Sequence, residues 1–210
     1  MTYDPKKHHR RSIRLRGHDY AGGGGYFITI CAQDKKCLFG YVVEGEMILN
    51  EAGQTIQRVW EDLPHRFPTV VLDVFQLMPN HFHGILVIPG AGLEQALALA
   101  TGAPIIQPGP KVTGTAGQGT AGQGTASRTP TMGGVVGAFK SIATIEDNRF
   151  QACVGRRLLQ ENFYEHIIRS VDSLEKIRAY IRQKPVRWFE DPENPDRPPG
   201  NWPETKWDWL

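Results

Sequence analysis

The chain has 210 residues, 40% of them hydrophobic, which suffices for one domain with a substantial core, whereas two full domains would need more residues. Its three cysteines include no Cys-x-x-Cys pair, which argues against a disulfide framework and a zinc finger. No apolar run approaches the ~20 residues of a membrane span, and no signal peptide is visible. We therefore expect a cytoplasmic protein without a membrane partner.

The first sixteen residues form a basic segment that the formal net charge of +2 conceals. One acidic residue, Asp4, opposes six basic residues, which are Lys6, Lys7, Arg10, Arg11, Arg14 and Arg16. A basic arm of this kind suits a polyanion, although a solvated terminus accounts equally well for the charge alone. We define residues 1–21 as a basic N-terminal arm.

Strand signals dominate the chain between this arm and residue 90. β-Branched and aromatic residues between turn signals predict strands at 26–32, 38–43, 47–49, 70–78 and 81–88. The last two strands flank Pro79-Asn80 and should form a hairpin. A helix from about Glu51 to Leu63 is indicated by Asn50 as its N-cap and by apolar residues at helical spacing.

Residues 90–132 interrupt this pattern with a stretch rich in Gly, Ala, Thr and Pro. The stretch contains a tandem Thr-Ala-Gly-Gln-Gly repeat and cannot bury enough apolar surface to offset the entropy of ordering it. We predict a flexible insertion within one domain spanning 22–190, followed by a tail at 191–210 that is rich in tryptophan and proline.

After the insertion we expect a helix at 135–146, a strand at 164–169 and a helix at 171–184. Ser170 can cap the last helix, and Pro185 marks its end. Strands and helices in mixed order around one sheet indicate an α+β fold.

Two histidines lie one residue apart on the predicted strand at 81–88. Side chains alternate along a strand, so His81 and His83 leave the sheet on one face, while Phe82 and Gly84 take the other. Neutral imidazole is a common ligand for divalent metals, and a pair on a rigid strand needs one more protein group to complete a site. A chance His-x-His pair is the alternative, because the chain holds seven histidines.

Three motifs together resemble the single-tyrosine HUH transposases, especially the branch associated with repetitive extragenic palindromes. The motifs are Met-Pro-Asn-His-x-His at 78–83, Tyr-Glu-His-Ile-Ile-Arg at 164–169 and Tyr-Ile-x-x-x-Pro at 180–185. The resemblance covers most of residues 12–192. It implies a ferredoxin-like, RRM-like antiparallel sheet with helices mainly on one face and the HUH motif on a central strand.

The resemblance also implies an activity: metal-dependent cleavage and rejoining of single-stranded DNA through a 5′-phosphotyrosine, on palindromic sequences. His81 and His83 would bind Mg²⁺ or Mn²⁺, although imidazole also accepts zinc. Tyr180 would be the nucleophile, with Tyr164 as its rival. Without the resemblance, Tyr180 would read as an amphipathic residue at the margin of the core.

One position departs from the family pattern. The family typically places an Asn or Gln metal ligand four residues after the nucleophile, where this chain has Lys184. A protonated lysine has no lone pair to offer a cation. Gln183 is also about one helical turn from Tyr180, and we predict it as the third metal ligand. Alternatively, Lys184 contacts DNA phosphate and cleavage is weakened or lost.

Basic side chains elsewhere suit single-stranded or hairpin DNA, and Trp188 offers a stacking surface. The predicted DNA contacts are Arg10, Arg11, Arg14, Arg16, Arg169, Arg182, Lys184 and Arg187. Glu165 and His166 are interpreted as ordinary strand residues. Either a monomer or a homodimer fits the family.

Two rival functions stay open. One is a protein that binds hairpin DNA on the same fold without cutting it. The other is a metal oxygenase or hydrolase built on the histidine pair and a carboxylate, acting on a small molecule.

Overall fold

The computed structural model describes residues 24–88 and 130–200. The strands in these ranges are β1 (Gly24–Cys31), β2 (Gly40–Val43), β3 (Glu46–Leu49), β4 (Val71–Leu77), β5 (His81–Ile88) and β6 (Tyr164–Ile168). The α-helices are α1 (Glu51–Glu61), α2 (Leu63–Arg66), α3 (Met132–Phe150) and α4 (Val171–Gln183). The predicted arm, nearly all of the predicted insertion and the last ten residues of the tail lie outside these ranges.

Four strands form one antiparallel sheet in the order β4-β5-β1-β6, and β2 pairs with β3 in a separate hairpin. Along the chain, β1, α1, β4, β5, α3 and β6 follow the β-α-β-β-α-β order of ferredoxin-like folds. The α+β class predicted from sequence is confirmed. The histidine motif lies on a central strand as predicted, because β5 pairs with both β4 and β1.

One face of the sheet packs against α1 and α3 and holds the larger core. Tyr26, Phe82 and Leu86 point to this face and join Trp60 of α1 and Phe139 of α3 in one buried cluster. The rings of Trp60 and Phe82 are centred 4.7 Å apart, and those of Trp60 and Phe139 are 5.2 Å apart. This aromatic packing fixes the inward face of β5 and therefore the outward face as well.

The opposite face is covered by α4. Phe27 and Ile85 of the sheet bury against Ile177 and Ile181 of the helix, together with neighbouring apolar residues. The predicted N-cap is confirmed, since the Ser170 hydroxyl accepts a hydrogen bond from the Ser173 amide at 3.1 Å. Helices thus lie on both faces of the sheet. Helices α1 and α3 share one face, and α4 covers the other.

Element boundaries differ from the predictions where proline or glycine weakens the pattern. The predicted helix at 51–63 ends at Glu61, and Pro64 lies in the first turn of the short α2 that follows. Helix α3 begins at Met132, capped by Thr131, three residues earlier than expected. Glycines in its first turns lower helix propensity, but Met132 is fully buried and anchors the start.

The described residues contain no helix that is both long and apolar enough to cross a bilayer. Cys31, Cys37 and Cys153 are free thiols.

Candidate active site

The two motif histidines lie side by side beneath α4. His81 and His83 are 1% and 2% exposed, and their ring centroids are 4.6 Å apart. Phe82 packs into the core on the other face, and a Cβ atom at Gly84 would lie within 3 Å of the Phe82 and Trp60 rings. The predicted alternation is confirmed, and the pair is held on a rigid central strand.

One nitrogen of each imidazole is held by a neighbouring side chain. The His83 Nδ1 lies 2.8 Å from the Thr29 hydroxyl, and the His81 Nδ1 lies 2.8 Å from the Asn80 side-chain oxygen. The Asn80 amide nitrogen donates to two backbone carbonyls, so its oxygen is the atom that faces His81. His81 therefore donates from Nδ1, which leaves the lone pair on Nε2.

The Nε2 atoms of both histidines are buried and have no hydrogen-bond partner among the described residues. Burial, with smaller contributions from Lys184 and Lys35, lowers the pKa of His81 to about 3, against an opposing effect of Asp191. Burial and the neighbouring His81 hold the pKa of His83 well below its usual value. Two neutral imidazoles with unused buried nitrogens fit a divalent metal ion, because metal ligands must carry no proton.

Tyr180 is the tyrosine that the structure brings to this pair. Its ring centroid lies 5.5 Å from that of His83 and 6.1 Å from that of Phe27, where it packs edge to face. Burial, with a contribution from Asp191, raises the pKa of its hydroxyl far above the usual value. The phenol is therefore protonated at neutral pH and must lose its proton in any reaction as a nucleophile.

Tyr164 lies on the same face of the sheet but further along it. It pairs with Thr29 on β1, and its ring is centred 6.4 Å from that of Phe27. Its pKa is raised by burial. The rival nucleophile therefore packs at the edge of the cluster that includes Tyr180.

A buried ion pair stands beside the histidines. The Lys184 ammonium lies 2.6 Å from Asp191 Oδ2 and 4.6 Å from the centre of the Tyr180 ring. The same Oδ2 atom is 4.0 Å from His81 Nε2. Burial lowers the pKa of Lys184 in spite of the carboxylate. Burial alone would raise the pKa of Asp191, but Lys184 and His81 outweigh it and keep that pKa below its usual value.

The loop after α4 holds Asp191 in place. The Glu193 amide donates to Asp191 Oδ1 at 2.9 Å, and the Glu193 carbonyl accepts from Asn80 at 2.6 Å. The Glu193 side chain pairs with Lys35 at 2.8 Å. Sequence reasoning missed Asp191, since only the folded loop brings it to the strand that carries the histidines.

Gln183 is the last residue of α4, and its side chain is exposed. The Lys184 side chain, four residues after Tyr180, is only 11% exposed, whereas the Gln183 side chain is exposed to solvent. Gln183 as the third ligand therefore stays a prediction that this arrangement does not support. Within residues 24–88 and 130–200, no three His, Cys, Asp or Glu side chains are spaced to hold a metal ion without some movement of a side chain.

The predicted DNA contacts differ in their exposure to solvent. Arg169, Arg182 and Arg187 are exposed, and Arg187 pairs with Glu190 at 3.1 Å. The ring of Trp188 is centred 6.1 Å from that of His81. Lys184 is mostly buried in its ion pair. Four further predicted contacts lie outside the described residues, namely Arg10, Arg11, Arg14 and Arg16.

Comparisons with solved structures return transposases at low similarity. A REP-associated tyrosine transposase bound to a REP hairpin is 16% identical, with 83% of this chain and 74% of that chain covered and a TM-score of 0.48. A Deinococcus radiodurans protein provisionally named a transposase is 11% identical, with 81% and 96% covered and a TM-score of 0.38.

Sequence comparisons give a more direct relationship. No protein family model matches the chain. An uncharacterized protein of Haemophilus influenzae is 36% identical over 189 residues, which cover 90% of this chain and 95% of the relative. Identity of this extent over nearly the whole of both proteins shows that the chain belongs to the family of this Haemophilus influenzae protein.

Proposed function

We propose that the protein is a metal-dependent enzyme that cleaves and rejoins single-stranded DNA, with Tyr180 as nucleophile and His81 and His83 as metal ligands. The observation that carries the proposal is the meeting of all three side chains on one face of the sheet. The histidine rings lie 4.6 Å apart, and the tyrosine ring lies 5.5 Å from the second of them. The sequence motifs around these residues resemble the same class of enzyme.

In the proposed step, Tyr180 Oη bonds to a backbone phosphorus while the bond from that phosphorus to the 3′ oxygen breaks. The phenol gives up its proton, the 3′ oxygen takes one up, and the 5′ end stays on the protein as a phosphotyrosine. A divalent ion on His81 and His83 would polarise a phosphoryl oxygen and stabilise the charge that develops. The reverse reaction with another 3′ hydroxyl rejoins DNA.

Neighbouring residues prepare this step. Thr29 and Asn80 orient the imidazoles. Loss of such hydrogen-bond partners usually lowers the affinity of the site for metal. The Tyr180 helix is fixed against β4 by the Arg178–Asp73 ion pair at 2.5 Å. The three proposed functional side chains meet within one chain, so either a monomer or a homodimer can carry out the step.

The substrate proposed is a hairpin formed by palindromic DNA. The exposed guanidinium groups of Arg169, Arg182 and Arg187 suit its phosphates, and the arginines of the N-terminal arm would add to them. Mg²⁺ or Mn²⁺ is the proposed cofactor, because both ions accept imidazole together with phosphate oxygen.

A second candidate function is binding of hairpin DNA without cleavage. The observation that favours it is Lys184, whose ammonium lies beside the histidine pair where the resembling family carries an amide. A positive charge at this place opposes binding of a metal cation.

The two candidates are separated by incubating the protein with Mn²⁺ and single-stranded hairpins from palindromes flanking its gene, followed by a denaturing gel. The enzyme predicts a protein-linked DNA species that is lost in Tyr180→Phe and retained in Tyr164→Phe. Tyr164→Phe is a matched control, since the same atom is removed from the same face of the sheet. Tight binding of the hairpin with no adduct would favour the second candidate.

A further inference from the structure

Asp191 is a buried carboxylate to which no sequence motif gives a role. Its side chain is 2% exposed, and its Oδ2 atom lies 4.0 Å from the Nε2 atom of His81. That nitrogen and the Nε2 atom of His83 are both buried without a hydrogen-bond partner in the described structure. An anionic oxygen thus lies 4.0 Å from the unused nitrogen of one imidazole, whose ring is adjacent to that of the second.

We infer that Asp191 is the third protein ligand of the divalent ion, an inference that rests on the proposed function. Metal–ligand bonds of about 2.1 Å place two donors of one ion roughly 3 to 4 Å apart. The separation between Asp191 Oδ2 and His81 Nε2 falls within this range. Two imidazoles with one carboxylate are a donor set that suits Mn²⁺ and related ions.

Lys184 explains how a carboxylate can be kept in this place without a metal. An unpaired carboxylate beside two neutral imidazoles would carry a large desolvation cost. The Lys184 ammonium lies 2.6 Å from the same Oδ2 atom and offsets that cost. Lys184 therefore holds the ligand oxygen in its charged form, at the cost of competing with a metal cation for it.

A chain of hydrogen bonds links Asp191 to the histidine strand. His81 Nδ1 donates to the Asn80 oxygen, and the Asn80 amide donates to the Glu193 carbonyl. The Glu193 amide in turn donates to Asp191 Oδ1. Asn80 thus positions a histidine ligand and the carboxylate loop together, as outer partners of metal ligands commonly do.

Asp191 also accounts for the departure at position 184. Where the resembling family uses an amide oxygen from the helix, this chain has a lysine that cannot bind a cation. The carboxylate from the following loop supplies an oxygen donor instead.

The test is a titration of the full-length, DNA-free protein with Mn²⁺, followed by electron paramagnetic resonance of the unbound ion. Asp191→Asn should weaken Mn²⁺ binding at least tenfold, as His81→Ala should. Glu190→Gln is the matched control, because it removes one negative charge from the neighbouring, more exposed residue. Its Mn²⁺ affinity should stay within twofold of that of the wild type.

A second comparison avoids the unpaired Lys184 that Asp191→Asn leaves behind. Lys184→Met should bind Mn²⁺ more tightly than the wild type, since a competing cation is gone. Adding Asp191→Asn to Lys184→Met should abolish that gain, and these two proteins differ only in the carboxylate.

Undiminished Mn²⁺ affinity in both Asp191→Asn proteins, with loss in His81→Ala, would overturn the role of Asp191 and leave the proposed function standing. A wild-type protein that binds no Mn²⁺ would overturn the role of Asp191 and the proposed metal dependence together. The DNA adduct assay reports on Tyr180 independently of both results.

Discussion

At the residue scale, burial makes His81 and His83 useful as ligands. Each imidazole is oriented through Nδ1, by Asn80 or by Thr29, and keeps its Nε2 atom buried and unused. A histidine in water spends much of its time protonated below pH 6.5, whereas these two stay neutral well into the acid range. Both imidazoles are therefore neutral at neutral pH, as metal ligands must be.

The same burial has a consequence for stability. The pKa of His81 is about 3 in the folded chain and 6.5 in the unfolded chain, so the unfolded chain takes up the proton first as pH falls. The stability that depends on this one group is therefore fully present above pH 6.5 and is lost between pH 6.5 and 3, at about 1.4 kcal/mol per pH unit. We expect His81→Gln to reduce the loss between pH 7 and 5 by roughly 2 kcal/mol.

Urea unfolding at the two pH values measures this difference. His65→Gln is the control, because His65 is exposed on the surface of α2. The loss of stability between pH 7 and 5 should be smaller in His81→Gln than in His65→Gln. An unchanged pH dependence in His81→Gln would contradict the depressed pKa.

At the element scale, α4 determines where Tyr180 lies. Apolar residues on one side of the helix bury against the sheet, and Arg178 adds an ion pair with Asp73 of β4. Asp73 lies within the register shift between Leu72 and Phe75 in the pairing of β4 with β5. The pair is buried, at 7% and 6% side-chain exposure, so loss of Arg178 leaves the Asp73 carboxylate without water or a counter-ion.

We expect Arg178→Met to lower the free energy of unfolding by about 3 to 5 kcal/mol, because Asp73 becomes an uncompensated buried charge. Adding Asp73→Asn should restore part of this loss. Arg182→Met, the same substitution on an exposed position of α4, should change stability by less than ~0.5 kcal/mol. Chemical denaturation of the wild type and these three variants measures the free energies of unfolding. Equal effects of Arg178→Met and Arg182→Met would refute the anchoring role of the ion pair.

The bounds of helices and strands were predicted best where the local sequence pattern and the tertiary packing agree. Strand β5 has the predicted bounds, since its apolar run follows a tight Pro79-Asn80 turn and packs on both faces. The start of α3 was predicted three residues late, because the glycines after Met132 weaken the helical pattern. Burial of Met132 in the core stabilises the first turn nevertheless. Asp191 could not be foreseen, since a loop with no periodicity brings it to His81 only in the folded chain.

At the scale of the whole molecule, the two faces of the four-stranded sheet differ in the side chains that they bury. The α1 and α3 face carries the larger apolar core, whereas the α4 face combines a smaller core with histidines, a tyrosine and a buried ion pair. Charged and polar groups are costly to bury, so this concentration on one face supports our proposal that the functional site lies there. The ferredoxin-like order of strands puts the histidine strand at the centre of that face.

The central claim is that Tyr180 bonds covalently to DNA beside the histidine pair. Its most direct test is tandem mass spectrometry of the tryptic peptides from a protein–DNA adduct trapped with Mn²⁺ and digested with nuclease. Trypsin cleaves after Arg178 and Arg182, so our account predicts a residual nucleotide on Tyr180 in the peptide 179–182. A nucleotide on Tyr164 in the peptide 158–169 would contradict it.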